Sequence, residues 1–197
     1  MLHMTRRPTP LGPLTLACDG DALVAAWLEG QTPFGGKTPL GPHSTEERPE
    51  APVLKLVVAW LDAYFAGRRP AIADLPLAPA GSPFRQMVWK RLCAIPYGEC
   101  VTYGELAREL AAASHKAQMS AQAVGGAVGH NPISLIIPCH RVMGAGGNLT
   151  GYAGGVEKKL WLLRWEGVET RHFFVPRRPA AKTDGMEGRV VMRRVQA

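Results

Sequence analysis

The densest chemistry in the chain lies in Pro138-Cys139-His140-Arg141. A thiol is a poor nucleophile until it ionises, and a neighbouring base or cation can bring its pKa well below the free value of about 8.5. Adjacent residues on an extended strand face opposite sides, but a turn after proline can bring them together. A carboxylate such as Glu166 would then orient the imidazole, in the logic of nucleophile, base and orienting acid. A Cys-His dipeptide taken alone also describes a core thiol beside a structural histidine. The spacing by itself leaves both readings open. The remaining cysteines, Cys18, Cys93 and Cys100, form no Cys-x-x-Cys pair and no zinc-like spacing. All four read as free thiols of a reducing, intracellular compartment.

The elements that must position this tetrapeptide are marked by periodicity and punctuation. Two short apolar runs, 14–18 and 22–28, flank Cys18-Asp19-Gly20-Asp21 and predict a β-hairpin. A Pro/Gly-rich loop follows over 31–50. Leu54, Val57, Leu61 and Tyr64 recur near helical period, and Gly67 suits the far end of that helix. Pro70, Pro76 and Pro79 make 68–81 read as an extended linker. Ser82 before Pro83 is a helix start, with Phe84, Val88, Leu92 and Ile95 on one face. Thr102 and Glu105 form a capping box that opens a second helix. A third, short helix begins near Ser120. Two short helices in succession predict a helix-turn-helix, and Gly125 and Gly126 would let the third helix approach another surface closely. Residues 133–137 read as a short buried strand. The Gly-rich stretch 143–155 lacks the Gly-Lys-Ser/Thr ending of a phosphate loop, which discounts ATP or GTP binding. Val156, Leu160, Trp161 and Leu163 give a last helix an apolar face, and Gly167 stops it.

The chain has 197 residues, 46% hydrophobic and 20% charged. That composition excludes a wholly disordered protein. No apolar run approaches the ~18–20 residues of a membrane helix, and no h-region follows Arg6-Arg7. The net charge of +7 is uneven. Residues 1–81 carry 7 Lys/Arg against 8 Asp/Glu, 82–170 carry 9 against 6, and 171–197 carry 7 against 2. The last segment is a basic tail that can hold polyanions without sequence preference, or simply a solvated terminus.

Pro138-Cys139-His140-Arg141-Val142, with Asn131-Pro132 and Ala123-Val124-Gly125-Gly126 upstream and Gly151-Tyr152-Ala153 and Trp165-Glu166-Gly167 downstream, resembles the O6-alkylguanine-DNA alkyltransferase family. The likeness spans roughly 84–167 in order and spacing, and more loosely the first half. It implies an α+β fold: a ribonuclease-H-like α/β domain with its linker over 1–81, a mainly helical DNA-binding and catalytic domain with a helix-turn-helix over 82–170, and the tail over 171–197. It implies stoichiometric, cofactor-free DNA repair in the cytoplasm by a monomer. The second helix of the motif would bind the minor groove of double-stranded DNA, and the damaged base would be flipped into a pocket. The Cys139 thiolate would take the alkyl group from O6 of guanine. His140 would be the base through a water, Glu166 would fix its tautomer, and Asn131 would join the network. Tyr103 would donate to the leaving guanine. Tyr152 and Val128 would wall the pocket, with the backbones of Cys139, Val142 and Ala153 at the base edge and Arg141 also at the substrate.

Three departures from the family pattern stand out. Gln122 occupies the position of an arginine that fills the gap left by the flipped base. It has shorter reach and no charge, which predicts weaker extrusion or help from His115 or Lys116. The stretch from Tyr103 to Gln122 is several residues longer than usual, which should lengthen the inter-helix turn. Some members bind zinc in the first domain, whereas Cys18 here has no histidine close in sequence, with His3 and His43 both distant. No metal is expected. A non-enzymatic sensor of alkylated DNA would lack the cysteine. A small-molecule thiol hydrolase using Cys139, His140 and Glu166 would leave the helix-turn-helix unexplained, and would regenerate its thiol.

Overall fold

The computed structural model describes residues 1–31, 40 and 43–176. Most of the basic tail, 177–197, and part of the Pro/Gly-rich loop lie outside the described residues. Strands β1 (Leu2–Arg7), β2 (Leu14–Cys18) and β3 (Leu23–Leu28) form an antiparallel meander, and β4 (Thr45–Glu47) joins β1 in parallel, giving the order β3-β2-β1-β4. The expected hairpin is present. Its turn is tightened by Asp19, whose carboxylate accepts from the amides of Asp21 and Ala22. Helix α1 (Pro52–Phe65) buries Leu54, Val57, Leu61 and Tyr64, as its spacing requires. Gly67, at φ 75°, ends it, and Arg68 N then bonds back to Ala63 O.

The second half holds α2 (Pro83–Cys93), α3 (Tyr103–Ala113), α4 (Ala121–Gly129) and α5 (Val156–Trp165). Ser82 caps α2, Ser120 caps α4, and the Thr102–Glu105 capping box is complete in both directions. Helices α3 and α4 pack on one another. Two short parallel strands, β5 (Val101–Thr102) and β6 (Val142–Met143), tie the start of α3 to the residue after Cys139-His140-Arg141. One continuous apolar core runs from β2, β3 and α1 through α2, α3 and α4 to Cys139, Val142 and Tyr152. Each fully buried leucine in it contributes about 1.5–3 kcal/mol of transfer free energy. Among the described residues no helix is long and apolar enough to cross a membrane.

Three expectations are corrected. Residues 133–137 are not a strand. Ile133 makes a single bridge to Ala26, and the chain then turns through Leu135 at φ 72°. Asn131 enforces that turn, since its carboxamide accepts from Ile133 N at 3.0 Å and donates to Ile137 O at 2.8 Å. Residues 68–81 are not a loose linker. They carry a 3₁₀ turn at Ile72–Asp74 and clasp β3, with Leu23 N to Pro76 O at 2.8 Å and Ala78 N to Leu23 O at 2.9 Å. His3 is not distant from Cys18, because the β1–β2 register sets them opposite one another. Among the described residues no group of three or more His, Cys, Asp and Glu side chains gathers there or elsewhere.

Thr102→Ala removes one side of the capping box without touching the core. It should cost about 1 kcal/mol of unfolding free energy in a chemical denaturation series.

Candidate active site

Cys139, His140 and Arg141 form one 3₁₀ turn after Pro138, and all three are buried. The turn is held from both sides of the molecule. Cys139 N donates to Ile137 O at 2.8 Å and Arg141 N to Pro138 O at 3.0 Å. Strand β3 grips the preceding loop, with Ala26 N to Pro132 O at 2.9 Å and Ser134 N to Ala26 O at 2.8 Å. Gln31 adds a side-chain bond to the Ser134 hydroxyl at 2.7 Å. These contacts hold Leu135 in a left-handed backbone that a branched apolar residue rarely adopts.

Glu166, at the end of α5, is the hub. Its Oε2 accepts from Arg141 Nε at 2.8 Å. Its Oε1 accepts from His140 Nε2 at 2.9 Å, Arg141 Nη2 at 2.9 Å and the Tyr64 hydroxyl at 2.7 Å. Arg141 Nη1 donates to Ile95 O at 2.6 Å. Burial would raise the Glu166 carboxyl, but the hydrogen bonds and charges of His140 and Arg141 outweigh it and hold the group well below the usual carboxylate range. The carboxylate is therefore ionised and accepts only. That assigns the His140 proton to Nε2 and leaves Nδ1 as the basic nitrogen. Burial pushes the His140 pKa down, against the pull of Glu166, so the imidazole rests neutral. Nδ1 is buried and has no hydrogen-bond partner among the described residues.

Burial pushes the Cys139 thiol up. The Asn131 side-chain hydrogen bond, the Lys159 charge and the amides of Cys139 and His140 act the other way without overcoming it. The resting pair is thus a neutral thiol beside a neutral imidazole. Ionising the thiol needs a proton acceptor, and Nδ1 of the next residue is a buried basic nitrogen without a partner among the described residues.

The structure brings Tyr103 and Tyr152 close to Cys139, and Val142 directly follows its turn, while no hydrogen bond ties Ala153 to the site among the described residues. The Tyr103 hydroxyl donates to Thr150 O at 3.3 Å. A Cβ on Gly125 would lie 3.6 Å from the Tyr103 ring, so α4 approaches this residue closely. Burial, then the nearby Cys139, pushes the Tyr103 hydroxyl up to about 12. Tyr152 stands edge-on to His140 with ring centres 6.5 Å apart, and its hydroxyl is buried without a partner among the described residues. Val128 sits in the main core, and Gln122 is exposed on the first turn of α4. Arg141, expected at the substrate, instead spends its guanidinium on Glu166 and Ile95 O, because a buried carboxylate requires a cationic partner.

Two residues of the site escaped the sequence reading. Tyr64 was legible as core, but its hydroxyl partner lies 102 positions away. Lys159 is fully buried, with Nζ donating to Val142 O at 2.5 Å and Thr150 O at 2.9 Å, and burial pushes it down to about 8. Its signal was a charge on the apolar face of α5, one step from Leu160 and four from Leu163.

Comparison with known proteins places both halves of the chain in one family. The DNA-binding domain of 6-O-methylguanine DNA methyltransferase matches residues 83–168, and the ribonuclease-like domain of the same family matches 2–79. The chain belongs to the 6-O-methylguanine DNA methyltransferase family. A methylated-DNA–protein-cysteine methyltransferase of Mycobacterium bovis is 43% identical over 166 residues, covering 84% of this chain and 93% of that protein. One from Haemophilus influenzae is 40% identical over 168 residues, covering 85% and 87%. Among solved structures, Mycobacterium tuberculosis OGT in complex with DNA superposes with a TM-score of 0.71 at 41% identity, covering 83% of this chain and 92% of that one.

Two outcomes follow for this methyltransferase-family site. Iodoacetamide labelling of Cys139, followed by peptide mass spectrometry, should be slow at neutral pH and rise with a midpoint above that of a free thiol. Glu166→Gln should cost about 3–5 kcal/mol, because it strands the buried Arg141 charge. The native carboxyl is depressed, so its stabilisation is complete above the unfolded value near 4.3 and fades as pH falls below it. The variant should show a shallower loss of stability in acid.

Proposed function

We propose that the protein repairs O6-alkylguanine in double-stranded DNA by one irreversible alkyl transfer to Cys139. The observation that carries the reading is the buried His140–Glu166 pair, directly after the buried thiol of Cys139, in a chain of this family. His140 Nδ1 takes the Sγ proton through one water, and Glu166 stabilises the imidazolium that forms. The thiolate attacks the alkyl carbon. The Sγ–C bond forms as the C–O6 bond breaks, and the electron pair passes into the guanine ring. The Tyr103 hydroxyl donates a proton to that ring and recovers one from His140, so the thiol's proton ends on the released guanine. A phenol pushed up to about 12 is fully protonated at neutral pH and available as that donor. The thioether is stable, so each molecule acts once and needs no cofactor.

Residues 1–81 serve as a supporting unit and 82–170 as the DNA-binding and catalytic unit. Helices α3 and α4 act as a helix-turn-helix with α4 in the minor groove. Gln122 stands where the extruded base leaves its partner, and extrusion costs a few kcal/mol. Tyr152, Val128, Val142 and Ala153 line the pocket. Asn131 holds the nucleophile's loop, and Arg141 acts through Glu166 rather than on the base. The protein works as a monomer in an intracellular, DNA-associated location.

Mixing the protein with a duplex carrying O6-methylguanine should add one methyl per molecule at Cys139 by intact and peptide mass spectrometry. Cys139→Ala should add none. Binding without transfer would instead mark a sensor, and thiol regeneration on small esters would mark a hydrolase. Tyr103→Phe should slow transfer by about 100-fold or more. Gln122→Arg should speed transfer by restoring reach and charge at the extrusion site.

A further inference from the structure

We propose that Tyr64, on α1 of the N-terminal half, is a positioning residue of the transfer site: its hydroxyl donates to the same Glu166 oxygen that accepts from His140, and so sets how strongly that carboxylate holds the imidazole. The inference rests on the alkyl-transfer reading for its consequence, and on geometry for its substance.

The Tyr64 hydroxyl lies 2.7 Å from Glu166 Oε1, and the residue is buried. Its ring has little freedom to turn. Trp60 stacks on it with centres 5.5 Å apart and planes 9° from parallel, and Phe65 and Tyr97 meet it edge-on at 5.1 and 6.0 Å. The Tyr64 backbone is itself tied to the end of α5, since Trp165 Nε1 donates to Tyr64 O at 3.3 Å. The donor is thus fixed in direction and in distance from the residue beside Glu166.

Three donors converge on Oε1: Tyr64, His140 and Arg141. A carboxylate oxygen has about two lone-pair sites, so the three share it. Each donor lowers the basicity left for the others. Deleting the Tyr64 hydroxyl concentrates Glu166 on His140 and makes the imidazole more basic. The imidazolium then persists to higher pH, and the free base needed for the Cys139 proton is lost earlier as the pH falls. Tyr64 does not take up that proton in turn, because burial and the Glu166 charge push its pKa far up and keep it a donor. The other titratable groups facing this pair are Tyr97, Cys100, Arg141, Tyr152 and Lys159. All five are left in place by a change at Tyr64.

The test compares wild type, Tyr64→Phe, and protein with 3-fluorotyrosine at position 64 alone. Two readouts are taken: single-turnover methyl transfer from a saturating O6-methylguanine duplex across pH, and the His140 imidazole titration by NMR without DNA. Tyr64→Phe should move the His140 titration and the acidic limb of the rate profile to higher pH by ~0.5 unit or more, with duplex affinity unchanged. Fluorotyrosine is a stronger donor and should move both the other way. A rate loss equal at every pH, or a His140 titration unmoved in the variants, would overturn the proposal and leave Tyr64 as packing. If Tyr64→Phe fails to fold, the fluorotyrosine protein decides alone through its titration. Titrations shifted in the variants, beside a wild type that transfers no methyl, would uphold the Tyr64 contact and sink the alkyl-transfer reading instead.

Discussion

A carboxylate buried without water is expensive unless several donors surround it, and Glu166 is such a group. Its donors come from distant parts of the chain: Tyr64 from α1, and His140 and Arg141 from the turn after Pro138. Satisfying this charge brings α1, α5 and the nucleophile's turn to one point. The Ile95 carbonyl, which closes the α2 end, is drawn in through Arg141. The same interactions that solve a solvation problem therefore fix the tautomer and orientation of His140. Structural and chemical roles cannot be separated at Glu166, because one ion performs both.

The protonation pattern follows from that burial. In an exposed site a cysteine beside a histidine tends toward a thiolate–imidazolium pair. Here burial opposes both charges, raising the thiol and lowering the imidazole. Under the proposed single transfer to Cys139, this arrangement protects the thiol until it is used. A neutral, largely covered thiol is a poor target for stray electrophiles and oxidants. In the proposed reaction the proton would move when an alkyl carbon is in place and the developing charge has somewhere to go. Lys159 fits the same pattern. Its ammonium is placed by two carbonyls, and its field favours the thiolate without a direct ion pair.

Much of this was written in the sequence, in proportion to how local each determinant is. Ser82, Thr102 with Glu105, Ser120 and the period of Leu54, Val57, Leu61 and Tyr64 mark helices through contacts within a few residues, and those helices are present. The Cys139-His140 pair and Glu166 were recognisable as a constellation through resemblance rather than spacing, since 26 residues separate His140 from its carboxylate. What local pattern hid was set by distant partners. The run 133–137 is apolar enough for a strand, yet Asn131 bends it into a turn. The cationic side chain of Arg141 gave no sign that it would turn inward, and Lys159 none that two backbone carbonyls awaited it. The prolines of 68–81 spoke for a linker, while clasping of β3 depends on strand edges no short window contains.

The departures that bear on DNA handling, Gln122 and the longer 103–122 stretch, fall outside the hydrogen-bond network around Glu166. Asn131, His140, Arg141 and Glu166 are buried and hydrogen-bonded, and a change at any of them would leave a polar partner unsatisfied. Gln122 is exposed, and the connection 114–120 is mostly exposed as well. That connection includes His115 in a left-handed backbone at φ 53°, and its Met119 packs against the main core. Substitution there disturbs no internal hydrogen bond of the site. Variation is physically inexpensive on the proposed DNA face and costly around Glu166. The same chemistry can therefore be kept while the way a damaged base is delivered to it changes.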